Sequence, residues 1–508
     1  MHLDRYVAYW AACRRDDPYM TFEGDVLTWS EFDAKGEALA SHLLEMGVQA
    51  GDRVGILLGN SLEWCIAFGA AIRVGAIIVP LNIRYGKFEL QSIASDAECS
   101  VMISRPSEME KLGGEPGGEV DPVTVFDMAD LGNARTLEDI LATGGSAPRC
   151  NRGDDDIFVI CYTSGTTGLP KGIELSHRAV DTMAHRVGGR FGWEYERERL
   201  LILAPLAFTG GIVSNLAVQL VFGGSAWVEA RVDPVRALDL IVEHELTMMA
   251  GVPALWERVA SAPGFADADI SSMRTAITGG APVSMDLVKI YAAKDVIIRQ
   301  QYGVSENSGC VCCPDRNGAV ARPHSCGMPL PGVDIEIRDD DGNVVPDGTI
   351  GEICIRSGQL MRSYWRNPEV SEKALVDGWY LSGDLGHIDD HGGLVVADRK
   401  KNMLISGGVN IYPAEIERAM MTIDGIEEVV VFGRPSKEWG QQVTAIAYAP
   451  GHDSVDTIAA QARDLLGSMK APKEIILSVE RLPRTSSEKI ARSDLDSLYD
   501  RVKQPVSA

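Results

Sequence analysis

The stretch Tyr162-Thr163-Ser164-Gly165-Thr166-Thr167-Gly168-Leu169-Pro170-Lys171-Gly172 places four aliphatic hydroxyls and three glycines beside one lysine. Glycine lets the backbone turn its N–H groups toward an anion, and the hydroxyls add further donors. Lys171 supplies a compact positive charge that can reach a terminal phosphate. The chemistry is that of a phosphate loop; the plainer reading is a flexible Ser/Thr/Gly surface loop. The Gly-x4-Gly-Lys-Ser/Thr pattern is not met, because Pro170 holds the second glycine position and Gly172 stands where a magnesium-binding hydroxyl would be.

The flanks predict how the stretch is held. Ile157-Phe158-Val159-Ile160-Cys161, bounded by Asp154-Asp155-Asp156, reads as a buried strand. Gly172-Ile173-Glu174-Leu175 alternates like a second strand, and Ser176 reads as the N-cap of a helix. The loop is therefore expected between two strands rather than between a strand and a helix.

Other segments repeat a format of apolar strand followed by glycine turn, the place where α/β sheets put ligands. Leu200–Ala204 leads into Pro205-Leu206-Ala207-Phe208-Thr209-Gly210-Gly211, expected as a glycine-broken loop. Thr275–Thr278 leads into Gly279-Gly280-Ala281-Pro282, and Val296–Ile298 into Gln300-Gln301-Tyr302-Gly303-Val304-Ser305-Glu306. Leu246–Val252 before Pro253 is one more strand ending.

Around these, Ser30 with Asp33 marks a helix start and Gly47 its stop. Arg53–Leu58 is a strand, Ser61–Val74 a helix, and Gly75–Leu81 completes a β–α–β unit, which requires a parallel sheet. Glu110–Gly118 is glycine-rich and expected to be a mobile loop. Turn residues between alternating runs over Gly327–Gly351 predict the hairpins of a small β subdomain. The block Asp398–Asn402 reads as a charged hairpin turn. A helix over Ala414–Met421, strands at 427–432 and 443–448, a helix near 455–468 and a strand at 474–479 predict a small α+β domain.

At 508 residues the chain exceeds one domain, and 45% hydrophobic with 24% charged residues is ordinary globular composition. No run reaches the roughly 18 apolar residues of a membrane span, and Met1–Arg5 lacks a signal-peptide core, so a cytoplasmic protein is expected. The net charge of −24 argues against nucleic acid or an anionic membrane as partner, although not against a nucleotide, which meets a local site. The ten cysteines lack the density of a disulfide scaffold. Cys310, Cys312, Cys313, His324 and Cys326 cluster in sequence without a common zinc spacing, so buried thiols are expected over a metal site.

The loop at 162–172 resembles the phosphate-binding motif of the acyl-adenylate-forming enzymes: acyl-CoA synthetases, luciferases and peptide-synthetase adenylation domains. Further segments resemble this family in its own order across nearly the whole chain. The resemblance implies a large α/β N-terminal domain over 1–400, with parallel-type sheets and a small β subdomain, and a small mobile α+β domain over 401–508. It implies ATP, Mg2+ and coenzyme A as cofactors, and a small-molecule carboxylic acid as the other partner.

It also implies roles. Thr163, Ser164, Gly165, Thr166, Thr167 and Lys171 hold the departing pyrophosphate. Gly280 and Ala281 border the nucleotide, Tyr302 stacks on adenine with Gly303 beside it, Ser305 contacts the α-phosphate and Glu306 holds Mg2+. Asp384, in Gly378-Trp379-Tyr380-Leu381-Ser382-Gly383-Asp384, accepts from the ribose hydroxyls, and Arg399 contacts ribose. Without the resemblance, that Gly-Asp would be a turn. Lys401 becomes a hinge pivot. Gly407 and Gly408, in Ser406–Pro413, lie near the thiol tunnel, and Trp439-Gly440 is close to pantetheine or simply buried. Lys489, in Leu482–Ile490, is the catalytic lysine, with Glu488 standing where the family has glycine.

Phe208, Thr209, Gly210, Gly280, Gly303, Ser308 and Gly309 are expected to line the acid pocket, with Phe208 as plain core the alternative. Their small or apolar character, without Arg or Lys, suits a medium-chain fatty, aromatic or alicyclic monocarboxylic acid. A CoA ligase is favoured over an enzyme that loads a carrier-protein phosphopantetheine, because no Gly-Gly-x-Ser carrier site follows Lys489. A luciferase-like oxygenase and a non-catalytic nucleotide-binding relative are the other readings, Glu488 being the support for the last. A homodimer is compatible with the family, although the sequence sets no oligomeric state.

Overall fold

The strands Ile157–Thr163 and Lys171–Ser176 pair antiparallel, with Thr163 opposite Lys171 at the loop end. Six successive residues, Ile157 to Tyr162, are buried, which is why this strand reads as a continuous apolar run rather than an alternation. Ser176 caps the helix His177–Phe191 by accepting from the Ala179 N–H at 3.1 Å. The computed structural model describes residues 1–114, 121–163, 170–280, 283–406, 409–437, 439–451, 454–485, 490–492 and 495–503.

Packing divides the chain into two units. The first comprises Met1–Pro323, Gly327–Asp334 and Ile355–Tyr380; the second comprises His324–Cys326, Ile335–Cys354 and Leu381–Ala508. Lys401 falls inside the second unit, in the 3-10 turn Lys400–Asn402.

Two sheets build most of the first unit. One has seven strands in the order Ala134–Thr136, Thr124–Asp127, Cys99–Ser104, Arg53–Leu57, Ile77–Leu81, Ile157–Thr163, Lys171–Ser176. Its centre is parallel, as the β–α–β pattern requires, and its two edges are antiparallel. The sheet is thus mixed. The other has eight strands, and Arg199–Ile202, Met248–Gly251, Thr275–Gly279 and Ile298–Val304 run parallel through its middle. Leu201, Leu240, Met249, Trp256, Val259 and Val296 are fully buried in the core that backs it.

Three local expectations are corrected. The helix Trp29–Glu45 starts one turn position before Ser30: Thr28 is the N-cap, accepting from the Glu31 N–H at 3.2 Å while Glu31 accepts the Thr28 N–H at 2.9 Å. Glu110–Leu112 forms a 3-10 turn after the helix Pro106–Met109, whereas residues 115–118 lie outside the described residues. The segment after Phe208 is helical rather than a broken loop: Thr209–Gly211 runs into a π-helical stretch Ile212–Ala217 and then Val218–Phe222. Gly211 enters that helix because a side chain there would collide with the Pro205 carbonyl oxygen, 2.1 Å from its Cβ position.

In the second unit, Glu428–Ser436 and Gly440–Tyr448 form a long antiparallel pair joined in parallel by Glu474–Ser478. The helices Pro413–Met420 and Val455–Lys470 cover it with Ile416, Met420, Ile458 and Ala462, all fully buried. A second hairpin pairs Trp379–Ile388 with Leu394–Arg399 and sets Asp384 opposite Arg399. No helix among the described residues is long and apolar enough to cross a membrane. Cys310, Cys312, Cys313 and Cys326 are buried, and no group of His, Cys, Asp and Glu among the described residues is placed to hold a metal ion.

Candidate functional site

Tyr162 carries the loop's entry. Its hydroxyl donates to Asp96 at 2.6 Å, and burial followed by that carboxylate pushes its pKa far above the ordinary phenol value. It is an anchor of the strand end rather than a phosphate donor. Thr163 and Lys171 follow as the paired residues at the mouth of the hairpin. Ser164, Gly165, Thr166 and Thr167 lie outside the described residues.

The outer edge of Lys171–Ser176 is covered by the segment 361–365, which the sequence reading passed over. The Trp365 N–H donates to the Gly172 carbonyl at 2.8 Å, the Arg362 N–H to Glu174 at 2.9 Å, and the Glu174 N–H to Ser363 at 3.1 Å. The Met361 N–H donates to the Glu306 carbonyl at 2.6 Å. One extended segment therefore ties the phosphate hairpin to the turn Ser305–Asn307 that bears Glu306.

Tyr364 completes that connection with its side chain. Its hydroxyl donates to Oε1 of Glu306 at 2.9 Å, and the Lys171 ammonium sits 5.7 Å from its ring centroid. Nothing local in Ser363-Tyr364-Trp365 distinguishes this tyrosine from any aromatic near a strand end, so no sequence signal could have found it.

Beneath the turn is a buried polar network. Gln359, fully buried, donates from Nε2 to the carbonyls of Asn307 at 3.1 Å and Cys310 at 2.7 Å, and its Oε1 accepts from Arg186 at 3.0 Å. Ser357 donates to Asn307 at 2.6 Å, and Ser308 donates to the Gln359 carbonyl at 2.8 Å. Satisfied buried networks of this kind fix one geometry, since each broken bond would leave a desolvated polar group. Ser308 is fully buried in the left-handed region at φ 53°, so its hydroxyl belongs to this network.

The remaining residues of the first unit are placed as follows. Tyr302 is 8% exposed on Ile298–Val304, and Gly303 lies so close to Gly309 that an added Cβ would be 2.5 Å from its carbonyl oxygen. Gly280 follows the strand Thr275–Gly279 at φ 79°, a conformation that suits glycine, and Ala281 lies outside the described residues. Phe208 faces Tyr85 edge-on at 6.2 Å between centroids, Thr209 is buried, and a Cβ on Gly210 would meet nothing within 4 Å.

In the second unit, Asp384 is buried and its carboxylate lies 3.0 Å from Nε of Arg399. The neighbouring Asp398 accepts from its own chain's Asn402 side chain at 3.0 Å and from the Ala414 N–H at 2.7 Å. It therefore caps the helix Pro413–Met420 and holds the turn bearing Lys401, a role its place in a charged block did not disclose. Trp439 is half-buried, with the Lys473 ammonium 4.6 Å from its ring. Gly407, Gly408, Glu488 and Lys489 lie outside the described residues. The segment on either side of Lys489 is pinned, since Arg484 bridges to Ile490 and the Ala491 N–H donates to Pro483 at 2.8 Å.

Within the first unit, a lysine and a carboxylate thus meet one tyrosine beside the paired strand ends Thr163 and Lys171. Residues 7–365 match the AMP-binding enzyme model, and residues 415–489 match the AMP-binding enzyme C-terminal domain. The chain belongs to the AMP-binding enzyme family.

Within that family this chain is an AMP-forming acyl-CoA synthetase, an acid–thiol ligase. It is 34% identical over 474 residues to the long-chain-fatty-acid–CoA ligase FadD13 of Mycobacterium tuberculosis, covering 93% of each chain. It is 33% identical over 476 residues to a feruloyl-CoA synthase of Amycolatopsis sp, covering 93% of this chain and 94% of that one. The structure of ATP-bound MatB from Rhodopseudomonas palustris superposes with a TM-score of 0.87 at 28% identity, covering 99% of this synthetase and all of that chain. The large α/β and small C-terminal domain architecture is that of the adenylate-forming enzymes.

Proposed function

We propose that this synthetase activates a medium-chain fatty, aromatic or alicyclic monocarboxylic acid with ATP and transfers it to coenzyme A. The observation that supports the assignment of residues is the Lys171–Tyr364–Glu306 arrangement. It holds a cation and an anion side by side at the mouth of the phosphate hairpin.

In the first half-reaction the substrate carboxylate attacks the α-phosphorus of ATP, forming acyl-AMP and releasing pyrophosphate. Two anions must meet, so the work of the protein is positioning and charge neutralisation. Lys171, Thr163 and the loop hydroxyls Ser164, Thr166 and Thr167 hold the leaving pyrophosphate, and Ser305 the α-phosphate. Lys489 offsets charge between carboxylate and α-phosphate. Asp384 and Arg399 take the ribose, Tyr302 the adenine, and Gly280, Ala281 and Gly303 border them. In the second half-reaction the thiolate of coenzyme A attacks the acyl carbon and AMP leaves. Lys401 is the pivot between the two steps, with Gly407 and Gly408 beside the thiol path.

Glu306 fits Mg2+: it is a hard oxygen ligand, its Oε1 holds a single phenol hydrogen bond, and no Lys or Arg ion pair consumes its charge among the described residues. When bound, Mg2+ supplies charge neutralisation on the phosphate oxygens. Phe208, Thr209, Gly210, Ser308 and Gly309 form the acid-binding region. Since none is cationic, a second carboxylate has no partner there.

The deciding experiment is a panel of monocarboxylic and dicarboxylic acids assayed for pyrophosphate and AMP release with and without coenzyme A. Acid-dependent pyrophosphate release, with AMP release that requires coenzyme A, is expected for a subset of monocarboxylic acids. AMP release with a phosphopantetheinylated carrier protein but not with coenzyme A would transfer the assignment to carrier loading. A preference for dicarboxylic acids would overturn the pocket.

A further inference from the structure

Lys171 and Glu306 meet different parts of one aromatic residue. Tyr364 presents its ring to the ammonium at 5.7 Å and its hydroxyl to Oε1 of Glu306 at 2.9 Å. Among the described residues Lys171 and Glu306 form no direct ion pair and are linked through Tyr364.

Tyr364 is itself held firmly. It is 8% exposed, its N–H donates to Ser371 Oγ at 2.9 Å, and it forms an antiparallel bridge with Ile173 on the phosphate hairpin. Tyr380, 4% exposed, is close enough to Tyr364 and Glu306 to feel both electrostatically. Two buried phenols thus converge on one carboxylate, and one of them also carries the lysine.

We propose that Tyr364, supported by Tyr380, is a positioning residue that holds Glu306 and Lys171 as a matched pair for the metal–nucleotide. The inference rests on the preceding assignment of Glu306 to Mg2+ and Lys171 to phosphate. A phenol hydrogen bond to a carboxylate orients it and removes its need to seek a cation in the protein. A ring face beneath an ammonium attracts it while leaving its three N–H donors for phosphate. Each half of the side chain serves a different charge, so the two contributions can be separated by substitution.

Calorimetric titration of ATP, with excess Mg2+ and again with EDTA, separates them. Tyr364→Phe keeps the ring and loses the hydroxyl; affinity is expected to fall about tenfold with Mg2+ and to stay unchanged in EDTA. Tyr364→Leu loses both, and affinity is expected to fall severalfold in EDTA as well. Tyr380→Phe should show a smaller loss confined to Mg2+, and it carries the test if Tyr364→Phe lowers the unfolding midpoint. Equal losses with and without Mg2+ for Tyr364→Phe, or wild-type affinity in both, would overturn the inference. If the wild-type chain binds no ATP, the functional assignment itself fails; if it binds Mg-ATP and the phenols prove indifferent, only this inference does.

Discussion

The buried carboxylate of Glu428 accepts from the Arg484 guanidinium at 2.7 Å. The same carboxylate takes the Leu482 N–H at 2.7 Å and Arg481 at 2.9 Å, so one side chain fixes the entry to the segment that carries Lys489. Glu428→Gln leaves buried donors partly unmet and should cost about 1.5–3 kcal/mol, read as a lower denaturation midpoint. It should slow pyrophosphate release as the base of the loop loosens. Lys489→Ala should instead leave the midpoint alone and slow adenylation by roughly 100-fold, the scale of losing one charge-stabilising donor. Thioester formation from preformed acyl-AMP should be spared by Lys489→Ala; equal loss in both half-reactions would remove that lysine from the first step.

Asp384, buried, pairs with the exposed Arg399 at 3.0 Å across the hairpin, which fixes the direction of the carboxylate. If that carboxylate receives ribose hydroxyls, the wild-type enzyme should prefer ATP to 2′-deoxy-ATP by about tenfold or more, the range of a hydrogen bond to a charged group. Asp384→Asn should erase most of the preference. Steady-state kinetics with the two nucleotides decides it, and an unchanged ratio in the variant would take the ribose away from Asp384.

Gly210 and Gly211 are adjacent yet differ in what surrounds them. A Cβ on Gly210 meets nothing within 4 Å, whereas one on Gly211 would lie 2.1 Å from the Pro205 oxygen. Gly211→Ala should destabilise by about 1–3 kcal/mol, whereas Gly210→Ala should unfold with the wild type. Gly210→Leu should fold normally and narrow the range of acids toward smaller ones. An unaltered acid profile for Gly210→Leu would place the acid elsewhere.

His177 is 1% exposed, stacks on His2 at 3.7 Å between centroids, and accepts the Leu3 N–H on Nδ1 at 3.3 Å. Burial, then the charge of His2, holds His177 well below its ordinary 6.5, and burial, then Arg5, brings His2 down to about 4. Both are neutral in the folded chain and protonate more readily in the unfolded one. Their contribution is therefore complete above pH 6.5 and is lost as pH falls from 6.5 toward 4. Urea midpoints should drop across that window, and His177→Gln should flatten the slope; an unchanged slope would assign the acid sensitivity to other groups.

The sequence by itself determined what was local or periodic. The apolar run Ile157–Cys161 marked the strand into the loop, Ser176 marked the helix after it, and the 1–150 region announced its β–α–β crossover. The order of the motifs along the chain carried the family, since each is a backbone-and-side-chain pattern readable within a dozen residues. It misplaced one helix start, reading Ser30 where Thr28 caps, because two hydroxyl residues lie close together and only hydrogen bonding shows which one caps.

Tertiary structure alone decided what depends on residues far apart in the chain. Phe208 was followed by a helix rather than a loop because Gly211 could seat against Pro205, a clearance that no glycine count reveals. Tyr364 reached Glu306 across 58 positions and Lys171 across a strand edge, and Gln359 reached beneath the same turn. Sequence order supplies the charges that meet a phosphate. Only the folding of one distant segment along the hairpin decides that a lysine and a carboxylate stand together without neutralising each other.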